Sequence, residues 1–209
     1  ICVPTPYTDV GFDLTYVDQV LPLIGDGRIV ILKSTVLPGT TEEYQKKYPK
    51  LKLMFSPEFL TEKTATKDFA HPTRQIVGYT EKSKEAAQDI LKMLPEATYM
   101  AAIPSGEAEM VKYMNNVFYA LKVTYGNVLY DLASAMGLNY DLIAQAATAN
   151  EPWMGQNHWD VFFGGYRGYG GKCLPKDVRS LIQLGKKIGI DISLLEKVEE
   201  LNNKRLSQK

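Results

Sequence analysis

Net charge is the first thing missing: 24 lysines and arginines meet 24 aspartates and glutamates across 209 residues. A balanced surface carries no electrostatic footprint for nucleic acid or an anionic membrane. The only cysteines are Cys2 and Cys173, so a disulfide framework is excluded, and reduced thiols fit a cytoplasmic setting. No apolar run approaches the roughly 18 residues that a membrane-spanning helix needs. No secretory leader is visible. Repeats and low-complexity segments are missing too. Ile1 opens in mid apolar run and Lys209 closes inside a helical pattern, which suggests a piece of a longer protein.

What is present is an ordinary apolar content of 45%, enough for a sizeable core. Ile1-Cys2-Val3, before Pro4-Thr5-Pro6, reads as the tail of a buried strand. Helical spacing over 13–24 follows, with Asp13 as cap and Pro22 shortening the last turn. Strands are predicted over 28–33, 51–55, 74–79 and 97–103, with helices over about 41–48 and 81–94. Strands alternating with helices imply crossover connections and a mainly parallel sheet. Ligands of such sheets bind at the carboxyl ends of strands. Thr5, Ser34, Thr35 and the segment Ser56 to Glu62 all follow strand ends; taken singly, each is also ordinary loop polarity.

From Ser105 the texture changes. Val111, Met114, Phe118, Leu121, Tyr125, Val128, Leu132 and Met136 step by three or four up to Gly137, the pattern of one long amphipathic helix. Some 31 residues at 1.5 Å each span about 46 Å. That is longer than one small domain needs, so the helix reads as a connector and a dimer interface. Lys112 and Asn116 stand off the seam and share a face, which alone would mean only solvation. A helix over 139–149 precedes a long aromatic and glycine-rich loop, 150–171, that carries His158. Helices over 174–188 and 192–207 close the chain.

The chemistry-bearing stretch is Gly168-Tyr169-Gly170-Gly171-Lys172-Cys173-Leu174-Pro175-Lys176-Asp177. Glycines allow close backbone approach, and Pro175 suits a first helical turn. Cys173 at a helix N-terminus between Lys172 and Lys176 has the setting of a reactive cysteine. Asp177, four residues on, can share its face and serve as base or orienter. A lone cysteine is more commonly a small buried hydrophobe; the flanking lysines and Asp177 favour a nucleophile.

Five segments together carry a resemblance: Val3–Pro6, Lys33–Thr40, Phe55–Glu62, Glu109–Asn116 and Gly168–Asp177. In their order and spacing the chain resembles the UDP-glucose/GDP-mannose dehydrogenase family, the UDP-glucose 6-dehydrogenases in particular. The resemblance implies an α/β fold: a partial Rossmann-like parallel sheet, then an all-helical central dimerisation domain with a long connecting helix. Residues 1–104 would be the second half of an NAD-binding domain and 105–209 the central region. The GxGxxG turn of family members is absent.

The implied reaction is oxidation of the C6 hydroxyl of a nucleotide sugar to a carboxylate by two hydride transfers to NAD. Cys173 would pass through a thiohemiacetal and a thioester. Lys112 resembles the residue that stabilises the oxyanion, Asp177 the carboxylate working with a water, and Glu62 the residue assisting hydrolysis. Thr35 would place water, and Asn116 would hold a sugar hydroxyl. Thr5, Thr35, Glu62 and Lys176 match NAD-side contacts. Glu58, Phe59, Leu60, Lys112, Asn116, Tyr169 and Gly170 match the substrate side. Where members carry an arginine before Ile-Gly, reaching into the partner subunit's site, this chain reads Trp153-Met154-Gly155; Arg167 is the candidate substitute. A non-catalytic dimerising scaffold, or a cysteine hydrolase built on Cys173 and His158, are the alternatives.

Overall fold

The computed structural model describes residues 1–8 and 11–207. They divide into two compact units, Ile1–Met114 and Asn115–Lys209. Among the described residues no helix is long and apolar enough to cross a membrane.

The first unit is α/β. A short antiparallel pair, β1 (Tyr7–Thr8) and β2 (Gly11–Phe12), precedes α1 (Thr15–Val20) and a 3-10 turn over Leu21–Leu23. Pro22 sits in that turn, which is why the expected helix shortens. The expected cap, Asp13, is displaced by one: Leu14 holds the N-cap position without a side-chain capping bond, and Asp13, just before it, accepts from the Thr15 amide at 2.9 Å. The main sheet has the order β3 (Ile29–Leu32), β4 (Lys52–Phe55), β5 (Arg74–Tyr79), β6 (Tyr99–Pro104). Ile1 extends it beside β3, donating to the Ile31 carbonyl at 2.6 Å and accepting from the Lys33 amide at 2.8 Å.

Both faces of the sheet are covered. Leu53 and Phe55 point into one core with Val30, Leu32 and Ile76, beneath α1 and α2 (Thr40–Lys47). Met54 points into the other with Val77, beneath α4 (Lys84–Met93). Strands buried on both faces are continuous apolar runs rather than alternating ones, which is how Ile29 to Leu32 reads. Gln45 stitches α2 to β4: its side chain donates to the Leu51 carbonyl and accepts from the Leu53 amide, each at 2.9 Å.

The sheet departs from the expectation at one join. β3 and β4 run parallel, as do β5 and β6, but β4 and β5 are antiparallel. A parallel connection needs a crossover helix lying on the sheet. The helix between them, α3 (Ala65–Ala70), buries no residue, so the chain doubles back instead of crossing over. Opposite Phe55 in that join stands Gly78. A methyl there would meet the Ala108 side chain at 2.6 Å.

α5 (Ser105–Ala135) has the 31 residues expected of it. Its inward face mixes small, polar and apolar residues: Ala108, Glu109, Tyr113, Val117, Ala120, Thr124 and Asn127 are all buried. Its large apolar residues lie outside, with Met114 75%, Phe118 52%, Leu132 57% and Met136 64% exposed. The second unit continues with α6 (Tyr140–Thr148), α7 (Leu174–Lys187) and α8 (Ser193–Leu206). Its core gathers Val117, Ala120, Tyr169, Val178, Ile182 and Val198.

Candidate active site

In the α/β unit the carboxyl ends of Ile1–Val3, β3 and β4 share one edge, because these three segments are parallel. The loops there are tied together. The Ser34 hydroxyl accepts from the Val3 amide at 2.8 Å and donates to the Val3 carbonyl at 2.7 Å. Thr5 Oγ1 donates to the Thr35 carbonyl at 2.8 Å. After β4, Glu58 pairs with Lys33 at 3.4 Å and accepts from the Phe59 amide at 2.9 Å. The Phe59 ring lies under the Arg74 guanidinium, 3.8 Å away, and Leu60 is half-buried beside it in sequence. Glu62 opens a 3-10 turn, Glu62–Thr64; its side chain lies outside the described residues. Lys112 Nζ donates to the Glu58 carbonyl, so the expected ammonium is anchored to the expected substrate loop.

Ligands of sheets like this one bind at the carboxyl ends of the parallel strands. The turn that would cradle a pyrophosphate on backbone amides is not among these residues.

In the helical unit Cys173 occupies the N-cap position of α7, ahead of Leu174 and Pro175, and its thiol is exposed and free. Its carbonyl accepts from the Asp177 amide at 3.0 Å, which fixes the thiol and the carboxylate one turn apart. Asp177 is fully buried. Its Oδ2 accepts from Asn116 Nδ2 at 2.5 Å. Lys176 Nζ stands 3.3 Å from Oδ1, off the hydrogen-bond line, so that oxygen keeps an unfilled acceptor. A buried carboxylate needs such a cation and donor to remain tolerable. Lys176, Asp177 and Asn116 are thus brought together at the first turn of α7, which Cys173 precedes.

Other expected residues have different surroundings. The Tyr169 ring is buried in the core of this unit, and burial pushes its hydroxyl well above the ordinary tyrosine pKa. Gly170 packs so closely on Tyr166 that a methyl would meet its hydroxyl at 2.5 Å. Arg167 is held inside its own unit: Nε and Nη2 donate to the side chain and carbonyl of Asn127 at 3.1 Å, and Nη1 pairs with Asp131 at 2.7 Å. His158 stacks on Tyr119 with ring centres 4.4 Å apart. Burial, and then the neighbouring Lys122, hold it below the usual histidine pKa. Near it a cleft of about 290 Å³ is lined by Phe118, Leu121, Lys122, Tyr125, Trp153 and Trp159.

Two residues were given no site role by the sequence reading. Glu109, fully buried, accepts from the Gly39 amide at 2.6 Å and from the Thr41 amide and hydroxyl at 2.8 and 2.6 Å. It caps the α2 N-terminus from α5, one turn before Lys112. Burial pushes its pKa up while those donors pull it back. Asn202, on α8, is buried against the loop before Cys173. A charged residue on the inward face of α5, between Ala108 and Tyr113, was the one available signal for Glu109; Asn202 sits among polar residues and gave none.

Two models of one family match the chain. The NAD binding domain of the UDP-glucose/GDP-mannose dehydrogenase family matches residues 1–95, and its central domain matches residues 106–204. UDP-glucose 6-dehydrogenase AglM of Haloferax volcanii is 31% identical over 97% of this chain and 51% of its own length. GDP-mannose 6-dehydrogenase of Pseudomonas syringae pv. tomato is also 31% identical, over 99% of this chain and 50% of its own. Among solved structures, a UDP-glucose dehydrogenase from Pyrobaculum islandicum superposes with a TM-score of 0.84 at 31% identity, covering 98% of this chain and 49% of that one. The chain spans about half the length of the curated relatives it matches. Matched by both models and nearly end to end by these relatives, the chain belongs to the UDP-glucose/GDP-mannose dehydrogenase family.

Proposed function

We propose that these residues belong to an NAD-dependent dehydrogenase that oxidises the C6 primary alcohol of a nucleotide sugar to a carboxylate. The observation that carries the reading is the exposed Cys173 thiol at the α7 N-cap, one turn from a buried Asp177 that holds Asn116. UDP-glucose is the substrate put first. GDP-mannose and N-acetylated UDP-sugars are its competitors, since relatives named for UDP-glucose and for GDP-mannose are equally similar. In this reading residues 1–104 are the second half of the NAD-binding domain and 105–209 the central dimerisation region.

The chemistry supplied by NAD, when bound, is acceptance of one hydride in each of two oxidations. The chain's own groups do the rest. The Cys173 sulfur adds to the C6 aldehyde, and its new C–S bond keeps a reactive intermediate from escaping. Loss of the second hydride leaves a thioester, which water cleaves to a carboxylate and the regenerated thiol. Lys112 supplies an ammonium to the oxygen that gains charge. Asp177 takes the proton of the attacking water through its unfilled Oδ1. Asn116, with Nδ2 held by Asp177, offers its Oδ1 to a sugar hydroxyl. Glu62 assists the hydrolysis and Thr35 places the water. Thr5, Thr35, Glu62 and Lys176 lie on the NAD side, and the main chain at Glu58–Leu60 and at Gly170 on the sugar side.

The outward apolar stripe of α5 supports a homodimer. A row of large exposed side chains at helical spacing marks an interaction surface, and the one proposed here is a second copy of the chain. The test of the activity is Cys173→Ala in the full-length protein, assayed for NADH against a panel of nucleotide sugars. Net NADH production should fall by about a thousandfold or more. Unchanged turnover removes the covalent route. Residues 1–209 alone should reduce no NAD, and measurable reduction would contradict the assignment of the activity to the whole protein.

A further inference from the structure

The loop that leads to Cys173 is held from behind by a single carboxamide. Asn202 Oδ1 accepts from the Tyr169 amide at 2.7 Å, and Asn202 Nδ2 donates to the Tyr169 carbonyl at 2.9 Å. Both main-chain groups of one loop residue are therefore satisfied by one side chain from α8, and Asn202 is only 3% exposed. The fit is close. Gly168 has φ +91, and a methyl there would meet Asn202 Oδ1 at 2.5 Å. Only glycine accepts both that backbone and that approach.

Arg167, just before Gly168, is tied to the same helix by way of α5. Asp131 on α5 binds Arg167 at 2.7 Å through one oxygen and Arg205, one turn beyond Asn202, through the other. Arg167 to Tyr169 is thus clasped between α5 and α8, and Cys173 follows after Gly170, Gly171 and Lys172. Those two glycines leave the thiol no stiffness of its own, so its placement depends on where Tyr169 is pinned and where α7 begins.

We infer that Asn202 is a positioning residue for the Cys173 thiol, acting through the main chain of Tyr169; this deepens, and rests on, the reading of Cys173 as the nucleophile. An alanine at 202 removes both bonds. An aspartate keeps the acceptor but sets a carboxylate oxygen against the Tyr169 carbonyl, so it fails as well despite its matching size. Neither change touches α7 itself.

The test uses the full-length protein in a Cys2→Ser background, with Asn202→Ala, Asn202→Asp and, as control, Asn203→Ala at the exposed neighbouring position. Three readouts separate positioning from simple loss of stability. Amide exchange of residues 168–173 should speed by about tenfold or more, with α7 interior amides unchanged. Alkylation of Cys173 by iodoacetamide, which needs neither NAD nor sugar, should slow by at least about threefold as the thiol leaves the α7 N-terminus. With nucleotide sugar, kcat should drop by about tenfold or more while KM stays within about threefold. An alkylation rate that is unchanged or faster in Asn202→Ala overturns the inference, as does faster exchange spread over the whole of α7 and α8. A parent protein without dehydrogenase activity sinks the proposed reaction, whereas the alkylation and exchange results still decide the role of Asn202.

Discussion

The two units use apolar residues in opposite ways. In the α/β unit the loudest apolar runs, Val30 to Leu32 and Leu53 to Phe55, are inside, and Phe55 is 1% exposed. On the part of α5 in the second unit the loudest apolar stripe is outside, and Thr124 and Asn127 are buried. Periodicity announces that a face must be covered. It does not say whether the cover comes from the same chain or from another one.

The comparison can be broken by mutation. Phe55→Ala should cost about 3–5 kcal/mol, a core truncation that the surrounding strands cannot refill; urea unfolding measures it. Phe118→Ala, half-exposed on α5, should cost under about 1 kcal/mol at dilute concentration, and a core-sized loss there would place the stripe inside the chain. Glu109→Ala strips three donors of their acceptor at the α2 N-terminus. It should cost about 2–4 kcal/mol, with Glu109→Gln recovering part, both followed by thermal melting.

Leu132→Glu sharpens the contrast, because it should leave the circular dichroism unchanged while weakening self-association of the full-length protein by about tenfold or more. Sedimentation at several concentrations reads it, and unaltered association would remove α5 from the pairing surface.

The smallest effect concerns His158, whose folded-state pKa lies below the ordinary value. Its neutral ring contributes fully above the unfolded pKa of about 6.5, and that contribution is lost as pH falls below it. The melting temperature of the parent should therefore drop more between about pH 7 and pH 5 than that of His158→Asn. Asparagine tolerates the left-handed backbone, φ +72, at this position. Parallel curves would show that the ring does not titrate as described.

Much of this was legible beforehand. Strands buried on both faces declare themselves by composition, and α5 by spacing alone. The spacing of Cys173 and Asp177, one turn apart at the start of α7, follows from helical geometry once Pro175 marks the first turn. The antiparallel join was not legible, because it depends on α3 lacking a buried face, and a short helix with one large apolar residue, Phe69, looks like a loop. Glu109 and Asn202 were missed for a related reason. Their partners are main-chain groups 68 to 70 and 33 residues away, and backbone amides carry no sequence signature.

Gly78 and Ala108 meet where β5 passes under the first turns of α5, and a methyl on Gly78 would meet both the Ala108 side chain and the Ser105 main chain. Trimming Ala108 to glycine would remove only the nearest of these clashes and leave the Ser105 main chain at 3.0 Å, so a replacement of Gly78 must still pry the sheet from the helix. Such a spot is where heat-sensitive alleles would be sought: tolerable while the packing can flex, ruinous a few degrees higher.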